Sequence, residues 1–340
     1  MQSHASAVPT EHARPLDRLV LPLANALVYL RHPWSVVRFR RRVGYFPNAA
    51  RPARYGEKML WRKLFDRNPL FVTFSDKLAT KALQARLTPS LPLAEILWTG
   101  LKVDAIPAAV LQRPVAIKAS HGCDWSLFRR RGEAHGPLKP RQRRRVDRWM
   151  HRSYGQHLLE WAYRHAERRL LVETLIEPAP GEALLDLSVH LVDGVPLFIE
   201  AIAHNKTAQQ RKGYFHVNGM RWSQLEPRRR DPTAKPALPV DATLPTCHRE
   251  ALLHARRLGG GVDYLRVDFL VAGERLYGGE IAVYPGSGLA RDSEFAAYNA
   301  LLAERWDLRK SWFLTAPQRG PRRLYAGALA RWLSRASAGA

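Results

Sequence analysis

Along the chain, apolar and polar positions change period several times, and each change marks an element. An apolar stretch at 19–30, broken by Pro22 and Asn25, precedes the basic run Arg38, Arg40, Arg41 and Arg42. It is well short of the roughly 20 apolar residues that span a bilayer, so no transmembrane helix is expected. Leu60, Trp61, Leu64 and Phe65 then recur at three-to-four spacing and predict a helix over 56–65. Leu78, Ala82, Leu83 and Ala85 predict a second, with Ser75 or Asp76 placed to cap it. Short β-rich runs follow at 115–120, 170–175, 184–192, 196–204, 264–271 and 275–284. Asp193-Gly194 and Ala272-Gly273-Glu274 read as hairpin turns, which makes the strands around each antiparallel. Helical text lies at 142–168, at 247–258 before Gly259-Gly260-Gly261, and at 293–306. Helices alternating with antiparallel hairpins give an α+β fold.

Composition adds little to that class but narrows the partners. The 340 residues are 46% hydrophobic and 25% charged, an ordinary globular balance with room for about two domains. Cys123 and Cys247 stand far apart beside unrelated patterns, so they are expected to be free thiols. The N-terminal text lacks the order of charge, apolar core and small-residue site that marks a secretory signal, and the expected location is the cytoplasm. Charge changes the picture more: 54 basic against 30 acidic residues give +24, and 43 of the basic residues are Arg. The excess lies in 1–67, 129–152, 206–235 and 305–340, and the remainder is slightly acidic. Three readings stay open: a solvated Arg-biased surface, a surface for anionic lipid or a polyanionic substrate, and nucleic acid. No nucleic-acid motif accompanies the charge. Residues 14–43 are expected either to dock on an anionic membrane surface or partner, peripherally at the inner face, or to pack as a helix on the body.

Three centres carry candidate chemistry. A hairpin centred on Glu274 sets Asp268 opposite Glu280, Val267 opposite Ile281 and Leu265 opposite Val283. Two carboxylates about 5 Å apart repel. They need a cation between them, either a divalent ion such as Mg²⁺ shared with substrate phosphates or an arginine such as Arg266. Lys118, in the middle of an apolar strand, must meet an anion or escape to solvent from an edge. Ser120, His121 and Gly122 after it suit a phosphate-covering loop. The third centre, 170–177, runs from an apolar strand into Glu173 and Glu177, as a backbone for a flat base or a strand end capped by surface acids.

Taken in chain order, these centres resemble an ATP-grasp enzyme, and more closely the TupA-like (teichuronopeptide-biosynthesis) branch. The resemblance covers about 44–314 and rests on Gly56-Glu57-Lys58 with Trp61, Asp76-Lys77, Ile117-Lys118, Glu160-Trp161 with Tyr163, Asp193-Gly194, Leu265-Arg266-Val267-Asp268 and Gly279-Glu280. It implies two antiparallel α+β lobes enclosing ATP, with Lys118 on the phosphates, Glu173, Leu175 and Ile176 along adenine, and Glu177 or Glu182 on the ribose. It also implies Mg²⁺ on Asp268 and Glu280, and Arg266 facing the transferred phosphoryl group. Two positions depart from the family pattern. Asp186-Leu187-Ser188 stands where an Asp-Tyr-Lys triplet is usual, leaving Lys206, Arg211 or Lys212 to supply the cation, and Ala282 stands where an Asn is common. The implied organisation is a basic appendage (1–43), a helical region (44–112), the ATP-grasp domain (113–314) and a basic tail (315–340). The implied activity is amide-bond formation between a carboxylate-bearing sugar, amino acid or polymer and an amine in cell-surface polymer biosynthesis. The alternative is a non-catalytic relic that binds a polyanionic glycan or the membrane surface.

Overall fold

A computed structural model of the protein describes residues 15–133, 136–227 and 235–338. The sequence reads as disordered over residues 1–13, which fall outside them. Five helices come first: α1 (Asp17–Arg31), α2 (Pro33–Val43), α3 (Tyr55–Phe65), α4 (Leu70–Ser75) and α5 (Lys77–Leu87). Asp76 is the cap of α5, its carboxylate accepting the N–H groups of Leu78 and Ala79.

A four-stranded antiparallel sheet follows, made of β1 (Ile96–Gly100), β2 (Val115–Ala119), β3 (Ser126–Arg129) and β4 (Leu170–Thr174) in the order β1-β4-β2-β3. Ile117, Ala119, Leu170 and Val172 pack on Val146 and Trp149 of α6 (Pro140–Met150), leaving Lys118 and Glu173 to the opposite face. The second sheet has β5 (Leu185–Val192), β6 (Val195–Ala203), β7 (Arg211–Phe215), β8 (Tyr264–Ala272) and β9 (Arg275–Ala282), ordered β7-β6-β5-β8-β9 and antiparallel throughout. Leu187, Val189, Leu191 and Val267 are fully buried on the side where α7 (His248–Leu258) packs. One end of the opposite face is closed by rings: Tyr264, Phe198 and Tyr214 meet Tyr55 of α3 and Tyr298 of α8 (Ala296–Arg305). The other end is polar and open.

Buried polar anchors hold α3 to this frame. The fully buried Arg62 donates to Asp263 at 2.6 Å and to the carbonyls of Tyr264 and Val283. Lys58 donates to the carbonyls of Ala303 and Trp306 at the carboxyl end of α8, where a cation suits the helix dipole. Burial brings its ammonium down to about 8. The Gly56-Glu57-Lys58 and Trp61 part of the expected motif is therefore structural. After α9 (Trp312–Thr315), residues read as a tail form α10 (Gly320–Ala338), where the Tyr325 hydroxyl accepts from Trp61.

Several boundaries differ from the sequence reading. The helix expected over 142–168 ends at Met150, because Gly155 and Leu159 adopt left-handed φ values of +66° and +61°. The β8–β9 hairpin turns on Gly273-Glu274, pairing Ala272 with Arg275, and changes register between Val267 and Phe269. Val267 still faces Ile281. The extra residue is in β9, where Gly279 and Glu280 together lie opposite Asp268, and a Cβ on Gly279 would lie 2.4 Å from the Asp268 carbonyl oxygen. Cys123 and Cys247 are free thiols, as expected.

Candidate active site

The polar faces of the two sheets meet at a cleft. On the first sheet Lys118 is interior, since β2 lies between β4 and β3, so the expected escape from an edge is ruled out. Its ammonium lies 2.5 Å from Glu173, which also takes Lys81 of α5 at 3.0 Å. Those two ammoniums hold the Glu173 carboxyl low, although burial alone would raise it. Glu173, expected along adenine, is thus committed to positioning Lys118. Leu175, whose N–H is held by the Pro114 carbonyl, and Ile176 begin the linker that leaves β4 for the second sheet. Glu177 accepts from the Arg131 N–H, and Glu182 lies beside the Gly273 turn.

On the second sheet Asp268 pairs with Arg266 through two bonds of 2.7 Å and accepts the Ser188 hydroxyl at 2.7 Å. Glu280 pairs with Lys77 at 3.0 Å. Of the cations expected to relieve the pair, the arginine is present on Asp268 and a lysine stands on Glu280, while burial and then the Glu280 charge still push Asp268 up. Burial would raise both acids. For Glu280, Lys77 and then Lys118 overcome it and hold the carboxyl at about 2. For Asp268, burial prevails over Arg266 and the carboxyl moves up. Neighbouring Asp186 is pushed up to about 6 by burial and by the charge of Asp268.

Lys77 entered the sequence reading only as part of the Asp76-Lys77 resemblance, with no role at the site. It is the first residue of α5, where the helix dipole disfavours a cation, and that misplacement was the available signal. Besides Glu280, it donates to the Gly122 carbonyl at 2.6 Å and so tethers the β2–β3 loop. That loop carries the expected phosphate-covering residues, but only its tip at 122–124 faces the cleft side. Ser120 is buried, bonded to the backbone of Glu167 and Arg169, and the His121 ring is buried on the Trp149 carbonyl. Lys206 reaches the loop from the second sheet, pairing with Asp124 at 2.6 Å. Of the three cations expected to replace the missing lysine, Lys206 lowers both Asp186 and Glu280. Lys212 is taken by Glu200 at 2.8 Å, and Arg211 is exposed at the start of β7.

An open cavity of about 650 Å³ lies over β3, lined by Asp124, Ser126, Phe128, Arg130, Arg145 and Lys206. Ser126 pairs directly with Lys118, so the cavity adjoins the face that carries it. For a divalent ion the donor chemistry fits: the carboxylates of Asp268 and Glu280, with Asp186 nearby, are hard oxygens. Among the described residues no three His, Cys, Asp or Glu side chains form a metal cage of their own.

A family model described as TupA-like ATPgrasp matches residues 57–304. The chain belongs to the TupA-like ATP-grasp family. The match spans both sheets and every residue placed at the cleft above. No curated protein matches the chain. Among solved structures, this TupA-like protein is similar to a D-alanine–D-alanine ligase from Helicobacter pylori, with TM-score 0.40 and 14% identity over 74% of this chain and 69% of that one. It is also similar to the Bacillus anthracis D-alanine–D-alanine ligase complexed with ATP, with TM-score 0.37 and 13% identity over 78% and 68%. The ATP-grasp ligase PsnB complexed with minimal precursor gives TM-score 0.35 and 12% identity over 70% and 61%. No helix among the described residues is long and apolar enough to cross a membrane.

Proposed function

We propose that this ATP-grasp protein is an ATP- and Mg²⁺-dependent carboxylate–amine ligase of cell-surface polymer biosynthesis, working in the cytoplasm on a carboxylate-bearing sugar, amino acid or polymer. The observation that carries the reading is the convergence of Lys118 and Lys77 with Asp268, Glu280 and Arg266 from opposite walls of one cleft. Lys118 and Lys77 neutralise phosphate charge from the first wall. When bound, Mg²⁺ on Asp268 and Glu280 would withdraw charge from the phosphate oxygens. The acceptor carboxylate attacks the γ-phosphorus and ADP departs. An amine then attacks the acyl carbon, inorganic phosphate leaves and the amine gives up a proton, closing the amide. Arg266 faces the transferred group, and positioning with electrostatics supplies the rate. Leu175 and Ile176 would border adenine, with Glu177 or Glu182 on the ribose. Arg130, Arg145 and Lys206 around the adjoining cavity suit an anionic acceptor.

A second reading, a non-catalytic relic that binds a polyanionic glycan, is favoured by one observation: Ser188 replaces the expected lysine and Asp268 is closed off by Arg266. Phosphate release from MgATP across a panel of uronic acids, acidic polymers and amino acids, with an amine present, separates the two. Release that needs a specific carboxylate supports the ligase. ATP binding with no carboxylate-dependent release supports the relic.

A further inference from the structure

The helices that precede the family region present an unusual outer surface. Leu21 and Val28 of α1 are buried against the body. Three contacts fix the rotation of α1: Arg331 of α10 grips Asp17 with bonds of 2.8 and 2.6 Å, the Tyr29 hydroxyl donates to the Pro47 carbonyl at 2.9 Å, and Asn25 accepts the Ala50 N–H. With its inner face pinned, α1 turns Leu16, Leu19, Leu23, Leu27 and Leu30 outward, each at least half exposed. Their spacing of three or four residues puts them in one stripe opposite the buried side. Trp34 at the start of α2 continues it at 84% exposure. An open groove of about 540 Å³ between α1 and residues 48–51, lined by Pro22, Ala26, Tyr29 and Leu30, runs alongside with Arg51 at its rim.

Exposed arginines are frequent on α1 and α2, and the acid that meets the end of α2, Asp292, bonds the Val43 carbonyl through its N–H and is paired with Arg54. Arg31, Arg41 and Arg42 are exposed and have no carboxylate partner among the described residues, while Asp17, the only acid between Pro15 and Gly56, is buried under Arg331. A second copy of the chain would oppose these arginines with the same arginines. A bilayer with anionic headgroups instead meets both features, an apolar depth for the leucines and phosphates for the guanidiniums. Trp34 has the character of a side chain that settles at the headgroup level.

We propose that the outer face of α1 and α2 is a docking surface for an anionic lipid bilayer, with the leucine stripe and Trp34 at the acyl–headgroup boundary and Arg31, Arg41 and Arg42 on lipid phosphates. The surface lies outside the nucleotide cleft, and the proposal holds independently of the ligase reading. Both chemical signals are needed, since an apolar stripe alone or a few arginines alone bind a membrane weakly and reversibly. Docking leaves the helix in the plane of the interface.

The test uses the full-length protein and flotation with vesicles of phosphatidylcholine alone or with phosphatidylglycerol added. The wild type is expected to float with the anionic vesicles only, and less as salt is raised. The double variant Leu23→Glu with Leu27→Glu should lose binding by about a hundredfold, and Arg41→Glu with Arg42→Glu by about tenfold with a flatter salt dependence. Melting curves check folding. Should the leucine variant unfold, tryptophan emission of the folded protein decides: anionic vesicles should shift it to the blue in wild type and much less in Trp34→Phe. Equal flotation on both vesicle types, unchanged flotation of a folded leucine variant, or an equal emission shift in Trp34→Phe would overturn the proposal. So would a wild-type dimer that the leucine substitutions dissociate, which would assign the face to self-association.

Discussion

The two walls of the cleft solve the same electrostatic problem in opposite ways. On the first sheet a single buried carboxylate, Glu173, is shared by Lys118 and Lys81, so that wall keeps a surplus of positive charge. On the second, Asp186, Asp268 and Glu280 outnumber Arg266, and Glu280 takes its cation, Lys77, from α5, which packs on β9 and reaches Glu173 of the first sheet through Lys81. A cationic wall facing an acidic one suits a triphosphate held on the first and a metal on the second. Within the acidic wall the comparison repeats: Lys77 and Lys118 hold Glu280 at about 2 against its burial, whereas burial and the charge of Asp268 push Asp186 up to about 6.

Removing the bridge between the walls should have the largest effect. Lys77→Met leaves Glu280 without its partner and releases the tether at Gly122, and carboxylate-dependent phosphate release should fall by about a hundredfold or more. The same variant should change acid stability. A carboxyl depressed in the folded state contributes stability that is present above its unfolded pKa and lost as pH falls through the folded one. Wild type should therefore lose this contribution between about pH 4.5 and pH 2, and Lys77→Met should lose less there. Urea denaturation across that range measures it.

Next in size is the contrast within the lysines. Lys118→Ala should weaken ATP binding by about tenfold to a hundredfold, since it removes a charge-assisted contact to phosphate and leaves Glu173 with Lys81 alone. Lys102 is exposed ahead of the 103–105 turn, and Lys102→Ala should bind ATP as wild type does. Calorimetric titration decides. Equal losses would move the phosphate site away from the first wall.

A smaller effect sharpens the acidic side. The folded-state pKa of Asp186 is raised, so the folded protein holds that proton more tightly than the unfolded chain, and stability declines as pH rises from about 4 to about 6. Asp186→Asn should remove that decline and stabilise the protein at pH 7 by about 1 to 2 kcal/mol. Asp268 raises Asp186, while Lys206, Arg266 and a hydrogen bond from Asn205 oppose the shift. Saturating MgATP should therefore also flatten the slope.

Much of this contrast was legible in the residues. Alternation located β2, β4, β5, β6, β8 and β9 within about two residues, because each buries one regular apolar face. It missed β1, β3 and β7. The last two read as basic loop text, since Ser126–Arg129 and Arg211–Phe215 are short and lie among arginines. The bulge opposite Asp268 was hidden by a hairpin register that is right at Val267 and shifts beyond it. Gly278-Gly279 was its signal: a Cβ at either position would come within 2.5 Å of Leu93 or the Asp268 backbone. Chain order brought Lys118, Asp268, Glu280 and Arg266 to attention. It did not give their partners, because the pairs Lys77–Glu280 and Lys118–Glu173 join segments far apart in sequence.

The central claim is that Asp268 and Glu280 bind the metal–nucleotide complex and are not merely structural ion pairs. Melting curves of wild type, Asp268→Asn and Glu280→Gln, with and without MgATP, test it most directly. Without ligand Glu280→Gln should melt lower by about 1 kcal/mol, because it leaves Lys77 unpartnered at a side chain that is 46% exposed, whereas Asp268→Asn should change little, because burial of that charge already outweighs its Arg266 pair. MgATP should raise the wild-type melting temperature, as any ligand of the folded state does, and the shift should be mostly lost in both variants. Variants that keep the full MgATP shift would contradict the account and leave the two carboxylates as structural ion pairs.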